Sequence, residues 1–298
     1  MIRKLNELVE MARSKRKRRI AVAAAGDWDV LEALKNADSM GIMEPILVGD
    51  QERIEKICKD IDYDISKYQI IHIEDRFESS LKASSLVRMG EAEILMKGLV
   101  STGQLMKAAL DKEHGLRKGA ILSHVALFES PYYHKLLGIT DAAMNVAPTF
   151  EDKIALINNA IEVFHKLGEP NPKVAVVGAV ETVNQRMEST MHAATLSMMN
   201  KRQQIKGCTI DGPLALDNAV SKKAAMVKNI ESEVAGNADI VVAPDINGAN
   251  FLYKSLNFLG GASCAAVIMG AKAPIVLTSR ADSEKNKFLS ISLAAAIG

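Results

Sequence analysis

Two hydrophobic periods take turns along this chain. Short aliphatic runs at 20–25, 46–49, 69–73 and 93–96 alternate with stretches in which apolar residues recur every three or four positions. An unbroken β-branched run of that length reads as a buried strand, and a 3.6-residue period reads as an amphipathic helix. On this pattern the first half predicts helices over 5–13, 30–40, 51–58, 77–89 and 102–110, and a further strand over 120–128. The second half repeats the alternation. Helices are expected over 149–167, 188–200, 248–259 and 283–297, and strands over 173–177, 208–210, 239–244, 265–269 and 274–278. Strands separated by helices are the signature of βαβ units, so the fold class is α/β with a largely parallel sheet.

Local punctuation agrees with these periods. Gly41 and Gly90 stand where helix C-termini are expected, Thr149 and Asp152 form a capping pattern, and 168–172 breaks the chain. At 298 residues the chain is long enough for two domains. The expected split lies between Gly138 and Pro148, giving domains 1–140 and 141–282, with the closing helix 283–298 packing on the first.

Composition narrows the function. The net charge of +1 offers no global field for nucleic acid. The apolar stretches fall short of the roughly 20 residues a membrane span needs. Residues 1–8 have no apolar secretion-signal core, and Cys58, Cys208 and Cys264 are odd in number and far apart. Reduced thiols and a cytoplasmic location are therefore expected. The basic run 15–19 reads as a solvated helix end rather than a nucleic-acid patch. No GxGxxG or GxxxxGK[ST] motif is present, and the six histidines are scattered, so neither a dinucleotide fingerprint nor a metal site is expected.

What remains are polar strand ends. The run at 274–278 stops at Thr278, Ser279, Arg280 and Asp282; a guanidinium fork suits phosphate, yet a plain polar strand terminus has the same look. Residues 97–103 follow a strand and open a helix, so Ser101 and Thr102 fit either an ordinary N-cap or an anion site, with Lys107 one and a half turns on. Asp211-Gly212-Pro213 and the segment from Pro244-Asp245 to Asn250 share this strand-to-helix character, with Asp217 a natural N-cap. Four such ends in one chain suggest a cleft walled by strand termini, because ligands of α/β sheets bind at carboxyl ends. Cys264 precedes an apolar strand and reads as core.

These segments together carry a resemblance. Residues 96–102 with 107–110, then 210–219, 235–239, Pro244-Asp245, Gly248-Ala249-Asn250 with Tyr253-Lys254, 270–274 and 277–282 resemble the phosphate acetyl/butyryltransferases, and most closely the butyryltransferase branch. The resemblance spans essentially the whole chain and is densest after Lys173. It implies two three-layer α/β/α domains of the isocitrate/isopropylmalate dehydrogenase type with a cleft between them, and a homodimer or higher assembly. It implies acyl transfer between CoA and inorganic phosphate, with acyl-CoA and phosphate as the partners, CoA serving as substrate and no cofactor or metal. Ser279 and Arg280 then match the catalytic centre. Ser101, Thr102, Lys107, Asp211, Asp245 and Asn250 are the expected substrate-binding residues. The sequence departs from the acetyl branch at two points. Lysine stands at 107 in place of arginine, and Asn286 replaces a catalytic aspartate, so either Asp282 or Glu284 substitutes as the base or the general-base step is carried differently. Alternatives on the same fold are a phosphate acetyltransferase, an acyl-carrier-protein:phosphate acyltransferase and an NAD-dependent decarboxylating dehydrogenase. A non-catalytic CoA-binding regulator is the alternative of another class.

Overall fold

The computed structural model describes residues 2–119, 121–279 and 282–298. In chain order the elements are α1 (Leu5–Ser14), β1 (Arg18–Ala23), α2 (Trp28–Ser39), β2 (Met43–Gly49), α3 (Gln51–Asp60), β3 (Gln69–His72), α4 (Arg76–Arg88), β4 (Ile94–Lys97), α5 (Thr102–Ala109), β5 (Ser123–Glu129) and β6 (Leu137–Thr140). There follow α6 (Phe150–Lys166), β7 (Lys173–Val177), α7 (Glu188–Lys201), β8 (Thr209–Leu214), α8 (Leu216–Val220), α9 (Lys222–Val227), β9 (Ile240–Val242), α10 (Ile246–Phe258), β10 (Ser263–Met269), β11 (Ile275–Val276) and α11 (Glu284–Ile297). The fold is α/β with a mixed sheet and flanking helices.

The chain forms two compact units, one of residues 6–120 with 265–298 and one of residues 1–5 with 121–264. This differs from the expected split after residue 140. Strand β6 pairs antiparallel with β5 and parallel with β9, so 121–140 is bound to the chain that follows it. Residues 265–282 return to the other unit because β11 pairs with β4. Helix α11 packs on α2 there.

In the first unit the strand order is β3-β2-β1-β4-β11-β10. Neighbours from β3 to β11 run parallel, and β10 is antiparallel to β11. Connections from β1 to β2 and from β2 to β3 step outward, whereas β3 to β4 crosses back over β1. Right-handed crossovers put helices of opposite direction on opposite faces. Accordingly α2 meets α11, while α4 packs on β1 and α5. Helix α2 shows how sequence drives this: Asp27 caps it by accepting the Val30 amide, and Val30, Leu31, Leu34 and Ala37 form its buried stripe. The change of direction makes the carboxyl ends of β1 and β4 a topological switch point, where α/β sheets place ligands.

In the second unit the order is β5-β6-β9-β7-β8. Strands β6, β9, β7 and β8 are parallel, so their carboxyl ends and the N-termini of α6, α7 and α10 lie on one edge. The expected capping box is formed: Thr149 Oγ1 accepts the Asp152 amide and Asp152 accepts the Thr149 amide. The Asp211-Gly212-Pro213 segment differs from expectation. It lies inside β8, which continues to Leu214, and α8 is capped at Ala215 with Asp217 in its first turn.

Candidate functional site

In the first unit, the parallel register Val276–Met96 sets the ends of β11 and β4 side by side. Both loops leaving these ends are anchored. After β4, the amides of Gly98 and Leu99 donate to the carbonyls of Ala23 and Ala24 at 2.9 and 2.7 Å. A Cβ on Gly98 would stand 2.3 Å from the Ala24 oxygen, so only glycine permits this approach. The loop then delivers Ser101 as the N-cap of α5, its Oγ accepting the Gln104 amide at 3.2 Å. Thr102 is the exposed first residue of that helix. The side chain of Lys107 does not extend freely: its ammonium lies 5.0 Å from the centroid of the Phe77 ring, over which it stacks.

After β11, Thr278 is buried and Ser279 is exposed. Arg280, expected at the catalytic centre, lies outside the described residues. The carboxylate of Asp282, only 8% exposed, accepts the Ser279 amide at 2.6 Å, and the Asp282 amide donates back to the Ser279 carbonyl at 3.2 Å. The turn is fixed from below by Lys287, 3% exposed, whose Nζ donates to the Asp282 carbonyl at 2.7 Å and to Asp29 Oδ2 at 3.0 Å. Ser283 caps α11 through the Asn286 amide, and Glu284 accepts a hydrogen bond from the Asn36 side chain. This edge therefore brings together Ser279 and Asp282, joined by hydrogen bonds, beside the strand that leads to Ser101 and Thr102.

The second unit holds the remaining residues. Asp245 caps α10, accepting the Gly248 amide at 3.0 Å. Asn250, on the same helix, donates its side-chain amide to the Ala142 carbonyl at 3.0 Å, which ties α10 to the loop after β6. The carboxylate of Asp211 accepts the adjacent Gly212 amide at 2.9 Å, well before the end of β8. Asp245 lines a pocket of about 520 Å³ with Thr149, Lys153, Glu188 and His192. Lys153 Nζ is 3.1 Å from His192 Nδ1. Burial lowers the pKa of the Lys153 ammonium, against the opposing pull of Glu188 and Asp245. Burial first, and then the Lys153 charge, lowers that of His192.

Sequence reasoning missed Lys153, His192 and Lys287. A signal existed for the lysines. Lys153 shares the buried face of α6 with Leu156, Ile157 and Ala160, and Lys287 shares one face of the buried helix α11 with Ile291 and Ala294. A lysine on an apolar stripe is rarely buried without a task. His192 is brought to Lys153 only by tertiary packing across 39 positions.

A family model described as phosphate acetyl/butaryl transferase matches residues 4–79 and 76–295. A phosphate butyryltransferase of Clostridium acetobutylicum is 45% identical over 297 residues, covering 100% of this chain and 99% of that protein. A phosphate acetyltransferase of Thermotoga maritima is 48% identical over 291 residues, covering 98% of each. The crystal structure of a branched-chain phosphotransacylase from Enterococcus faecalis superposes with a TM-score of 0.83 at 36% identity, covering 94% of this chain and 98% of that one.

Proposed function

We propose that this chain, which belongs to the phosphate acetyl/butaryl transferase family, is a phosphate acyltransferase that moves a short acyl group, butyryl in preference, between CoA and inorganic phosphate. The observation that carries the reading is the Ser279–Asp282 turn at the end of β11, next to the Ser101 helix N-terminus after β4. A hydroxyl and backbone amides at parallel strand ends suit anionic substrates.

In the forward step a phosphate oxygen attacks the thioester carbonyl carbon. The tetrahedral intermediate collapses, the C–S bond breaks, and CoA leaves as a thiolate that takes a proton, giving acyl phosphate. Phosphate is already nucleophilic at neutral pH, so no covalent enzyme intermediate and no cofactor are needed. Positioning the two anions supplies the largest share, up to about 7–11 kcal/mol of the barrier. Ser279 donates to the developing oxyanion or the departing thiolate. Arg280, by its match to the family's catalytic arginine, offsets the phosphate charge. The buried carboxylate of Asp282 is spent on the Ser279 amide, which favours a positioning role for it over that of a base. Ser101 and Thr102 add donors from the neighbouring strand end.

A preference for acetyl is the second reading, supported by the 48% identity to an acetyltransferase. Comparing kcat/KM for acetyl-, butyryl- and isobutyryl-CoA with phosphate decides between them. A butyryl value at or below the acetyl value overturns the chain-length part of the proposal. One methylene is worth only about 1–3 kcal/mol, so the expected preference is about ten-fold or more.

A further inference from the structure

In the second unit, Lys153 is 4% exposed, and among the described residues no carboxylate oxygen stands within 4 Å of its Nζ. Its hydrogen-bond partner is the ring of His192, which offers a nitrogen lone pair but no negative charge. Glu188 and Asp245 act on it only from beyond contact distance, and a buried ammonium with no carboxylate in contact is costly; such groups persist where a ligand supplies a closer charge. The lysine faces a pocket of about 520 Å³, far more room than one water needs. The N-terminus of the 14-residue helix α7 opens into the same pocket through Glu188 and Ser189. Its N-cap, Met187, gives no side-chain hydrogen bond; the Thr190 amide donates to the Met187 carbonyl at 2.9 Å, which leaves the amides of Glu188 and Ser189 for an oxyanion. The other two helices ending here are already capped by Thr149 and Asp245. Of the pocket's two carboxylates, Asp245 is engaged by the Gly248 amide and the Glu188 side chain is 84% exposed.

We propose that the pocket walled by Lys153, His192 and the start of α7 is a binding site for a phosphoryl oxyanion, with Lys153 as its charge partner. The choice of phosphoryl over carboxylate rests on the acyl-transfer reading, whose substrates bring that group either as inorganic phosphate or on CoA. Lys153 binds the anion, and His192 holds the ammonium toward it.

The test compares wild type with Lys153→Met and Lys153→Arg by calorimetric titration of inorganic phosphate, CoA and butyrate, together with melting curves. Lys153→Met is expected to weaken phosphoryl binding about ten- to hundred-fold, as loss of a charge-assisted hydrogen bond implies. It is also expected to melt at or above the wild-type temperature without ligand, and to lose the upward shift that phosphate gives wild type. A lysine with a purely structural role would instead lower the ligand-free melting temperature. Lys153→Arg keeps the charge and recovers part of the affinity. Loss confined to inorganic phosphate assigns the site to that substrate, and loss confined to CoA assigns it to the CoA phosphates. Unchanged affinity for both, or loss for butyrate alone, overturns the proposal. Phosphate-dependent thiol release by wild type is measured alongside. If release is present while Lys153→Met binds normally, only this inference fails; if release is absent, the functional reading fails whatever the titrations give.

Discussion

The carboxylate of Asp282 accepts the backbone amide of Ser279 at 2.6 Å, so the residue expected to act as a base holds the expected catalytic serine. Lys287 fastens the same turn from the buried side through the Asp282 carbonyl. Asp282→Asn keeps the shape and removes the charge that strengthens this bond. A charge-assisted hydrogen bond is worth about 1.5–3 kcal/mol, so kcat should fall about ten- to hundred-fold. With Asp282 as a positioning residue, the pH–rate profile keeps its limbs at a lower plateau. A profile that loses its acidic limb in the variant identifies Asp282 as the base instead.

Ser279 is exposed at the end of β11, and the proposed mechanism uses its hydroxyl as an oxyanion donor. Ser279→Ala should lower kcat about 10²–10³-fold, the usual loss for one oxyanion donor, with little change in melting temperature. A variant within three-fold of wild type removes the hydroxyl from the mechanism.

The β4 loop depends on Gly98. A methyl group there would meet the Ala24 and Ala23 carbonyl oxygens at 2.3 and 2.7 Å, and both belong to backbone that cannot swing aside cheaply. Gly98→Ala should destabilise the protein by about 1–3 kcal/mol, the range for overpacking a tight site, and should weaken substrate binding by shifting Ser101. Urea unfolding midpoints together with KM values check both effects. An unchanged midpoint contradicts this account of the loop.

Asp38 contributes to the acid stability of the first unit. Burial alone would raise its carboxyl pKa, but hydrogen bonds from Lys17 and Tyr68, with the Lys17 and Lys67 charges, outweigh it and hold the group below its ordinary range. A depressed folded value means the unfolded chain binds the proton first. The stabilisation is present above the unfolded value near pH 4 and is lost as pH falls through the folded one. Urea midpoints between pH 2.5 and 6 should converge for wild type and Asp38→Asn toward the acid end. A constant difference across that window contradicts the assignment.

Much of the fold was legible because local signals and long-range packing agree. The Thr149–Asp152 box, the Ser101 cap and the alternating periods each specify their element without help from distant chain. Strand β6 was missed because Gly138 interrupts the short apolar run Leu137 to Thr140, and its pairing partner β9 lies a hundred residues away. The compact units divide the chain elsewhere than the expected boundary for a related reason. Only the β11–β4 pairing shows that 265–282 rejoins the first unit. At the candidate site, the strand ends could be read but the roles could not. Asp282 acts on a backbone amide, Asn250 on the Ala142 carbonyl and Lys107 on the Phe77 ring, and no sequence pattern records such contacts.

The central claim is phosphate-dependent acyl transfer at the Ser279 edge. The most direct measurement is thiol release from butyryl-CoA, followed with and without inorganic phosphate, with butyryl phosphate quantified in the same samples. The account predicts release that requires phosphate and matches butyryl phosphate mole for mole. Release that proceeds equally without phosphate, or no release with any short acyl-CoA, contradicts it.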